Sequence, residues 1–213
     1  MRTPQTCGQV RFWKKLLWLR FRSILFGSLA VLAGCVTLDA KPTHDFLGSA
    51  DKGLLAVSAR HTNVRWVDLF YRNIKTRAGG FLRTYSKTIP MDWENPTGRL
   101  IVAELPVGAY EIYRWESTDG LVFFNSADSF SIRFEVVPGR ATYIGGILIE
   151  LGTENYPGNL LSKKRKVGFA VRDESERDLK IFLNRYQKLT INDVRVNITS
   201  IDEICGAELA VKC

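Results

Sequence analysis

Apolar and polar positions alternate with a period of two through most of this 213-residue chain, and the alternating stretches stop at Gly, Pro or Asp-Gly. Segment 64–71 sets Arg65, Val67, Leu69 and Tyr71 on one face against Trp66, Asp68 and Phe70 on the other. Both faces are partly apolar, which fits a strand covered on one side and partly shielded on the other. Segment 130–136 alternates most cleanly, with Phe130, Ile132, Phe134 and Val136 opposite Ser131, Arg133 and Glu135. Segment 109–115 puts Tyr110, Ile112 and Arg114 against Glu111, Tyr113 and Trp115. Further strands are predicted at 53–58, 81–85, 100–105, 121–124, 142–151 and 167–172, with a strand-like stretch at 194–198. Gly79-Gly80, Asp119-Gly120 and Pro138-Gly139 mark turns, and 90–98 and 152–162 read as loops. Short strands joined by tight turns predict a mostly β, mainly antiparallel sandwich. Trp66 and Trp115 are expected inside it, and Gly145-Gly146 within a strand marks a bulge or a close backbone contact.

The period changes to that of a helix once. Leu179, Phe182, Leu183 and Tyr186 fall at i, i+3, i+4 and i+7, a single apolar stripe. Asp173 with Glu176 three residues later predicts a capping box. Glu174, Glu176 and Asp178 lie near the helix start, where acids meet the macrodipole favourably. The prediction is one C-terminal amphipathic helix over 173–188, followed by a strand and tail over 189–213.

The front end has a different grammar. Residues 1–23 hold Arg2, Arg11, Lys14, Lys15, Arg20 and Arg22 and no acid, and an apolar run from Ile24 to Gly34 follows. This is the layout of a secretory signal peptide. An eleven-residue helix spans ~17 Å, about half of a ~30 Å hydrocarbon core, so the run is too short for a permanent span. Leu32-Ala33-Gly34-Cys35 resembles the lipobox of bacterial lipoproteins. The resemblance implies cleavage after residue 34, lipid attachment at Cys35, and a lipid-attached tether over 35–52. Several acyl chains hold a protein firmly to a bilayer. Val36, in place of an Asp after the lipidated Cys, implies the outer membrane, with the domain facing the periplasm.

Cleavage changes the charge picture. The whole chain carries 30 Lys and Arg against 22 Asp and Glu, a formal charge of +8. Six of those bases and no acid lie in 1–34, which leaves 24 against 22. The basic character belongs to the segment removed, so nucleic acid is not an expected partner. A hydrophobic share of 46% with 24% charged residues excludes a disordered chain.

Two blocks carry a second resemblance. Leu105-Pro106-Val107-Gly108-Ala109-Tyr110-Glu111-Ile112 resembles the Leu-Pro-x-Gly-x-Tyr-x-Ile pattern of transthyretin-like (prealbumin-like) domains. In physical terms, Pro106 ends a strand, Gly108 permits a turn, and Tyr110 sends its ring inward with a hydroxyl able to reach turn backbone. The block from Phe134 to Gly146, with Pro138-Gly139 and Tyr143, is similar to the turn and tyrosine strand of small bacterial lipoproteins with such sandwiches. The resemblance covers 53–172 and implies a Greek-key sandwich of about seven strands. It implies a fold and no activity.

Candidate chemistry is sparse. Cys205 and Cys213, eight positions apart, form a candidate disulfide in an oxidising periplasm, with free thiols as the alternative. His44 falls in the tether, and His61 lies between the first two strands. A hydrolase is the alternative function. It would need His61 as base with Asp51 or Asp68 and a serine such as Ser58, and no Gly-x-Ser-x-Gly elbow supports that set. Asp92, Glu94 and Asn95 offer hard oxygens without the spacing of a calcium loop. No cofactor and no metal site is predicted, and no catalytic residue is assigned. Lys163, Lys164, Arg165 and Lys166 form the predicted binding patch for an anionic envelope component. Trp93 and Trp115 mark aromatic loops that would gain weight if exposed. The expected function is a membrane-tethered binding or structural module for an envelope protein or cell-wall component.

Overall fold

The computed structural model describes residues 39–43, 47–84, 91–94, 96–126, 130–156, 159–199 and 201–207, and only the backbone of 154–165 and 201–207. All of them belong to the compact unit Val36–Cys213. The predicted signal segment, Cys35, His44, Asn95 and Cys213 lie outside the described residues.

Among the described residues there are twelve strands and one α-helix. In chain order these are β1 (Lys52–Thr62), β2 (Trp66–Asn73), β3 (Gly79–Arg83), β4 (Trp93–Glu94), β5 (Thr97–Pro106), β6 (Gly108–Thr118), β7 (Phe123–Asn125), β8 (Ile132–Val136), β9 (Ala141–Tyr156), β10 (Asn159–Arg172), α1 (Ser175–Arg185), β11 (Val194–Val196) and β12 (Ile201–Ala207). The larger sheet has the order β12-β10-β9-β1-β5-β4, with β11 also on β9. The smaller sheet has the order β3-β2-β6-β7, with β8 beside β6. The chain passes between the sheets four times, after β1, β3, β5 and β8, and otherwise continues within one sheet.

Of the twelve, β4 and β12 fall outside the predicted strand stretches, and β4 is two residues long, too short to show a period. The sheets are also not wholly antiparallel: β9 runs parallel to both β1 and β11. Alternation fixes which face a residue takes and carries nothing about strand direction. Residues 152–156 and 159–162, read as part of a loop, belong to β9 and β10, and Lys163 to Lys166 register against Asn155 to Gly152.

Val57, Ala59, Val67, Leu69, Ile101, Ile112, Trp115, Ile132, Phe134, Ile147 and Phe169 fill the space between the sheets. Trp115 from β6 stacks on Phe169 from β10 at 5.6 Å and 9°, and Phe130 meets the same ring edge-on at 5.0 Å. These offset and edge-on arrangements suit the ring quadrupoles and tie one sheet to the other. The Leu-Pro-x-Gly-x-Tyr block does what its chemistry predicted. Tyr110 is buried, and its hydroxyl donates to the Pro106 carbonyl at 2.9 Å. Gly108 takes φ +152°, and a Cβ there would lie 2.7 Å from Asn73 Nδ2. Gly145, at φ +106°, is the bulge: between Ala56 and Ser58 on β1 the partner strand advances from Tyr143 to Gly146.

Helix α1 lies on the outer face of the larger sheet. Leu179, Phe182 and Tyr186 pack there on Leu54, Ala56, Leu100, Val102 and Tyr143. Strands β1 and β5 are therefore buried on both faces, which explains their unbroken Leu-Leu-Ala-Val and Leu-Ile-Val-Ala runs. The helix starts two residues later than predicted, and the capping box does not form. Asp173 Oδ1 instead accepts the Ser175 amide at 2.9 Å. Asp178, expected to serve the dipole, is wholly buried and accepts a hydrogen bond from the Tyr143 hydroxyl at 2.5 Å. Arg177 closes on the same carboxylate and on Glu174. Burial, and the Asp178 carboxylate beside it, push the Tyr143 hydroxyl far above its ordinary pKa, so it stays a donor. No helix among the described residues is long and apolar enough to cross a membrane.

Candidate interaction face

The outer face of the smaller sheet has no such cover: among the described residues, neither a helix nor a further strand lies on it. Its residues follow from register. In β2, Val67, Leu69 and Tyr71 point into the core, so Trp66, Asp68, Phe70 and Arg72 occupy the other face. In β6 an extra residue, Tyr113, is inserted where Phe70 pairs with Arg114 and Tyr71 with Ile112. That bulge shifts the alternation by one position. Trp115 turns inward beside Ile112, and Arg114 turns outward, the reverse of the predicted faces. Trp66 is likewise corrected: it is half-buried on the outer face because β2 pairs with its Val67 side inward. Strand β3 adds Phe81 and Arg83, and β7 adds Phe123, which is 68% exposed, next to Leu121 at 83%.

Three arginines on this face are each held by a carboxylate and lie against a ring. Arg83 donates to both oxygens of Asp68, at 2.7 and 2.6 Å, with its guanidinium 5.4 Å from Trp66 and 5.1 Å from Phe81. Arg72 donates to Glu111 at 2.7 Å and sits 4.4 Å from Tyr113. Arg114 pairs with Glu116 and lies 5.6 Å from Phe70. Trp66 and Phe123 meet at 6.4 Å, and Phe70 and Phe81 at 5.7 Å. The Arg72 hydrogen bond draws the Glu111 carboxyl below its ordinary pKa; burial opposes this and Ser131 assists it. Asp68 in turn raises Arg83. The result is a flat face of aromatic rings with fixed guanidinium groups between them and little net charge. Aromatic and arginine side chains of this kind dominate the energetics of protein–protein contacts.

The residues singled out by sequence are dispersed. Ser58 shares a face of β1 with Leu54 and Ala56, whereas His61 lies on the opposite face. Asp68 is on the outer surface of the other sheet, occupied by Arg83. The proposed hydrolytic set does not converge. His61 is buried, with no hydrogen-bond partner for Nε2 among the described residues, and burial lowers its pKa. Asp92 is committed to structure: its carboxylate accepts Leu100 N at 2.6 Å and Arg185 at 2.7 Å. Trp93 is half-buried between the guanidinium groups of Arg60 at 5.8 Å and Arg177 at 4.6 Å. Lys163, Lys164, Arg165 and Lys166 are strand residues of β10. Cys205 lies in β12 opposite Val167. A hollow of about 730 Å³ beside the start of α1 is lined, among the described residues, by Asp173 to Arg177, Lys180 and Ile181. No group of three or more His, Cys, Asp and Glu residues able to hold a metal occurs among the described residues.

The aromatic–arginine face was missed because its residues come from four separated strands. The available signal was β2, where an alternating strand carried Trp and Phe on its polar side. No protein family and no curated protein matches the chain. Among solved structures, a leucine-rich repeat protein from Bacteroides thetaiotaomicron is similar over 47% of this chain and 14% of its own length. The two are 17% identical there with a TM-score of 0.30, a likeness that carries no argument.

Proposed function

We propose that this protein is an outer-membrane lipoprotein, attached through Cys35 and facing the periplasm, that acts by binding an envelope protein through the outer face of its smaller sheet. The observation that carries this reading is the uncovered set of Trp66, Phe70, Phe81, Tyr113 and Phe123, with Arg72, Arg83 and Arg114 already paired. An uncovered face with this many rings is larger than scattered surface apolar residues explain. Its near-neutral charge favours a protein surface over an anionic polymer, which a lysine-rich patch would suit better.

The same reading takes the sandwich as a Greek-key fold of the transthyretin-like type. Support comes from the alternation of the chain between sheets, the parallel β1–β9 pair, and the turn built by Pro106, Gly108 and Tyr110. Lipid attachment is supported by the signal-like segment and the Leu-Ala-Gly-Cys sequence.

The test is photo-crosslinking in intact cells from single positions of the full chain. Phe70 and Phe123 should give one common protein adduct, and Lys180 on α1 and Gln187 just beyond its end should not. Arg114→Glu should remove the adduct. Equal adducts from both surfaces, or adducts from α1 alone, would reject the assignment of the face.

A further inference from the structure

We infer that the β5 edge of the larger sheet faces the bilayer, so that the domain stands edge-on with β7 and β12 on its membrane-distal side. The inference rests on the lipid attachment at Cys35 proposed above. It starts from residues that were expected to be a free tether.

Asp39 and Ala40 are docked along the open edge of β5, beyond the point where β4 ends. The Ala40 amide donates to the Val102 carbonyl at 2.7 Å, as an added strand would. The Ala40 carbonyl accepts the Tyr186 hydroxyl at 2.6 Å, and the Ala40 side chain packs on the cluster beneath α1. The Asp39 carboxylate meets both terminal nitrogens of Arg99, at 3.0 and 3.2 Å. Arg99 is itself buried and donates through Nε to the Arg83 carbonyl of β3 at 3.3 Å. One strap thus grips β5, α1 and, through Arg99, the near edge of the smaller sheet.

Only Val36, Thr37 and Leu38 separate Cys35 from this strap. Four residue steps reach at most ~14 Å, so an acylated Cys35 must lie within about that distance of Asp39. The bilayer is then held against the edge that carries Arg99, Asp92 and Glu94. Four strand spacings of ~4.8 Å separate β5 from β12, about 19 Å in all. Three such spacings separate β3, the strand bonded to Arg99, from β7. Leu121 and Phe123 therefore belong to the far side, and the aromatic–arginine face stands side-on, open to a partner in the periplasm. A free tether of 18 residues would impose no such orientation.

The test uses the lipidated full-chain product in phosphatidylethanolamine–phosphatidylglycerol vesicles carrying an acceptor dye on a lipid headgroup. A fluorescent amino acid is placed at Glu94 or at Leu121, both exposed. Energy transfer from position 94 should exceed that from position 121 by about twofold or more, because several strand spacings separate the two. A Gly-Ser insertion of about twelve residues after Val36 should bring the ratio towards one while vesicle attachment persists. Equal transfer in the native-length protein would overturn the orientation, and a ratio unchanged by the insertion would overturn the strap as its cause. Protein that stays in the aqueous phase would reject the lipid anchor, and the orientation with it, a result distinct from either.

Discussion

The two sheets present opposite outer faces. The larger sheet offers Leu54, Ala56, Leu100, Val102 and Tyr143, aliphatic side chains apart from one tyrosine, and covers them with α1. The smaller sheet offers five aromatic rings and at least three arginines, and covers them with nothing among the described residues. Aliphatic side chains gain only from removal of water, so their face is closed within the molecule. Aromatic rings against guanidinium groups tolerate water and still gain from a second surface. The contrast separates a face used for folding from a face available for binding.

Perturbing the covered face should cost the most. Phe182→Ala, which empties the centre of the α1 contact, should destabilise by about 3–5 kcal/mol in urea unfolding. A loss under ~1 kcal/mol would mean that α1 is not an integral layer. Asp178→Ala leaves the Tyr143 hydroxyl and part of Arg177 without their acceptor and should cost about 1–3 kcal/mol. Recovery of most of that loss in the double variant with Tyr143→Phe would confirm the pair, because the unmet hydroxyl is then gone and Arg177 keeps Glu174.

The interior shared by both sheets gives a smaller, pH-dependent effect. His61 has its pKa lowered by burial from the ordinary 6.5, so the unfolded chain takes up a proton at a higher pH than the folded one. Stability should therefore be fully present above about pH 6.5 and fall as the pH drops towards the folded value. His61→Gln should lack this slope. Parallel stability profiles for the two proteins between about pH 7 and pH 5 would contradict the assignment.

The bare face should respond least in stability. Phe70→Ala should cost about 1 kcal/mol, and Phe123→Ala less than about 0.5 kcal/mol, in the same unfolding assay. Both should nonetheless lose the crosslinked adduct. A stability loss at Phe123 comparable to that at Phe182 would erase the distinction between the faces.

Much of this arrangement was legible in the chain. The clean alternation of 130–136 placed Phe130, Ile132, Phe134 and Val136 inside, where all four are buried. Leu179, Phe182 and Tyr186 announced α1, and the Tyr110 hydroxyl found the backbone that its motif predicted. The failures have physical causes. One inserted residue, Tyr113, reversed every face assignment after Ile112, and a bulge depends on pairing with another strand that local pattern does not contain. Residues 163–166 were read in or beside a loop because composition does not show the hairpin pairing that carries β10 through them. Asp39 looked like part of a tether because its partner, Arg99, lies 60 residues away in sequence.

The most direct measurement is carbene footprinting of Trp66, Phe70 and Phe123, performed on the protein in intact cells and on the purified mature protein. The account predicts strong labelling of all three in the purified protein and clear protection in cells, with Lys180 on α1 and Gln187 just beyond its end labelled alike in both. Equal labelling of the three aromatic residues in the two settings would mean that nothing occupies the face where it works, and would contradict the account.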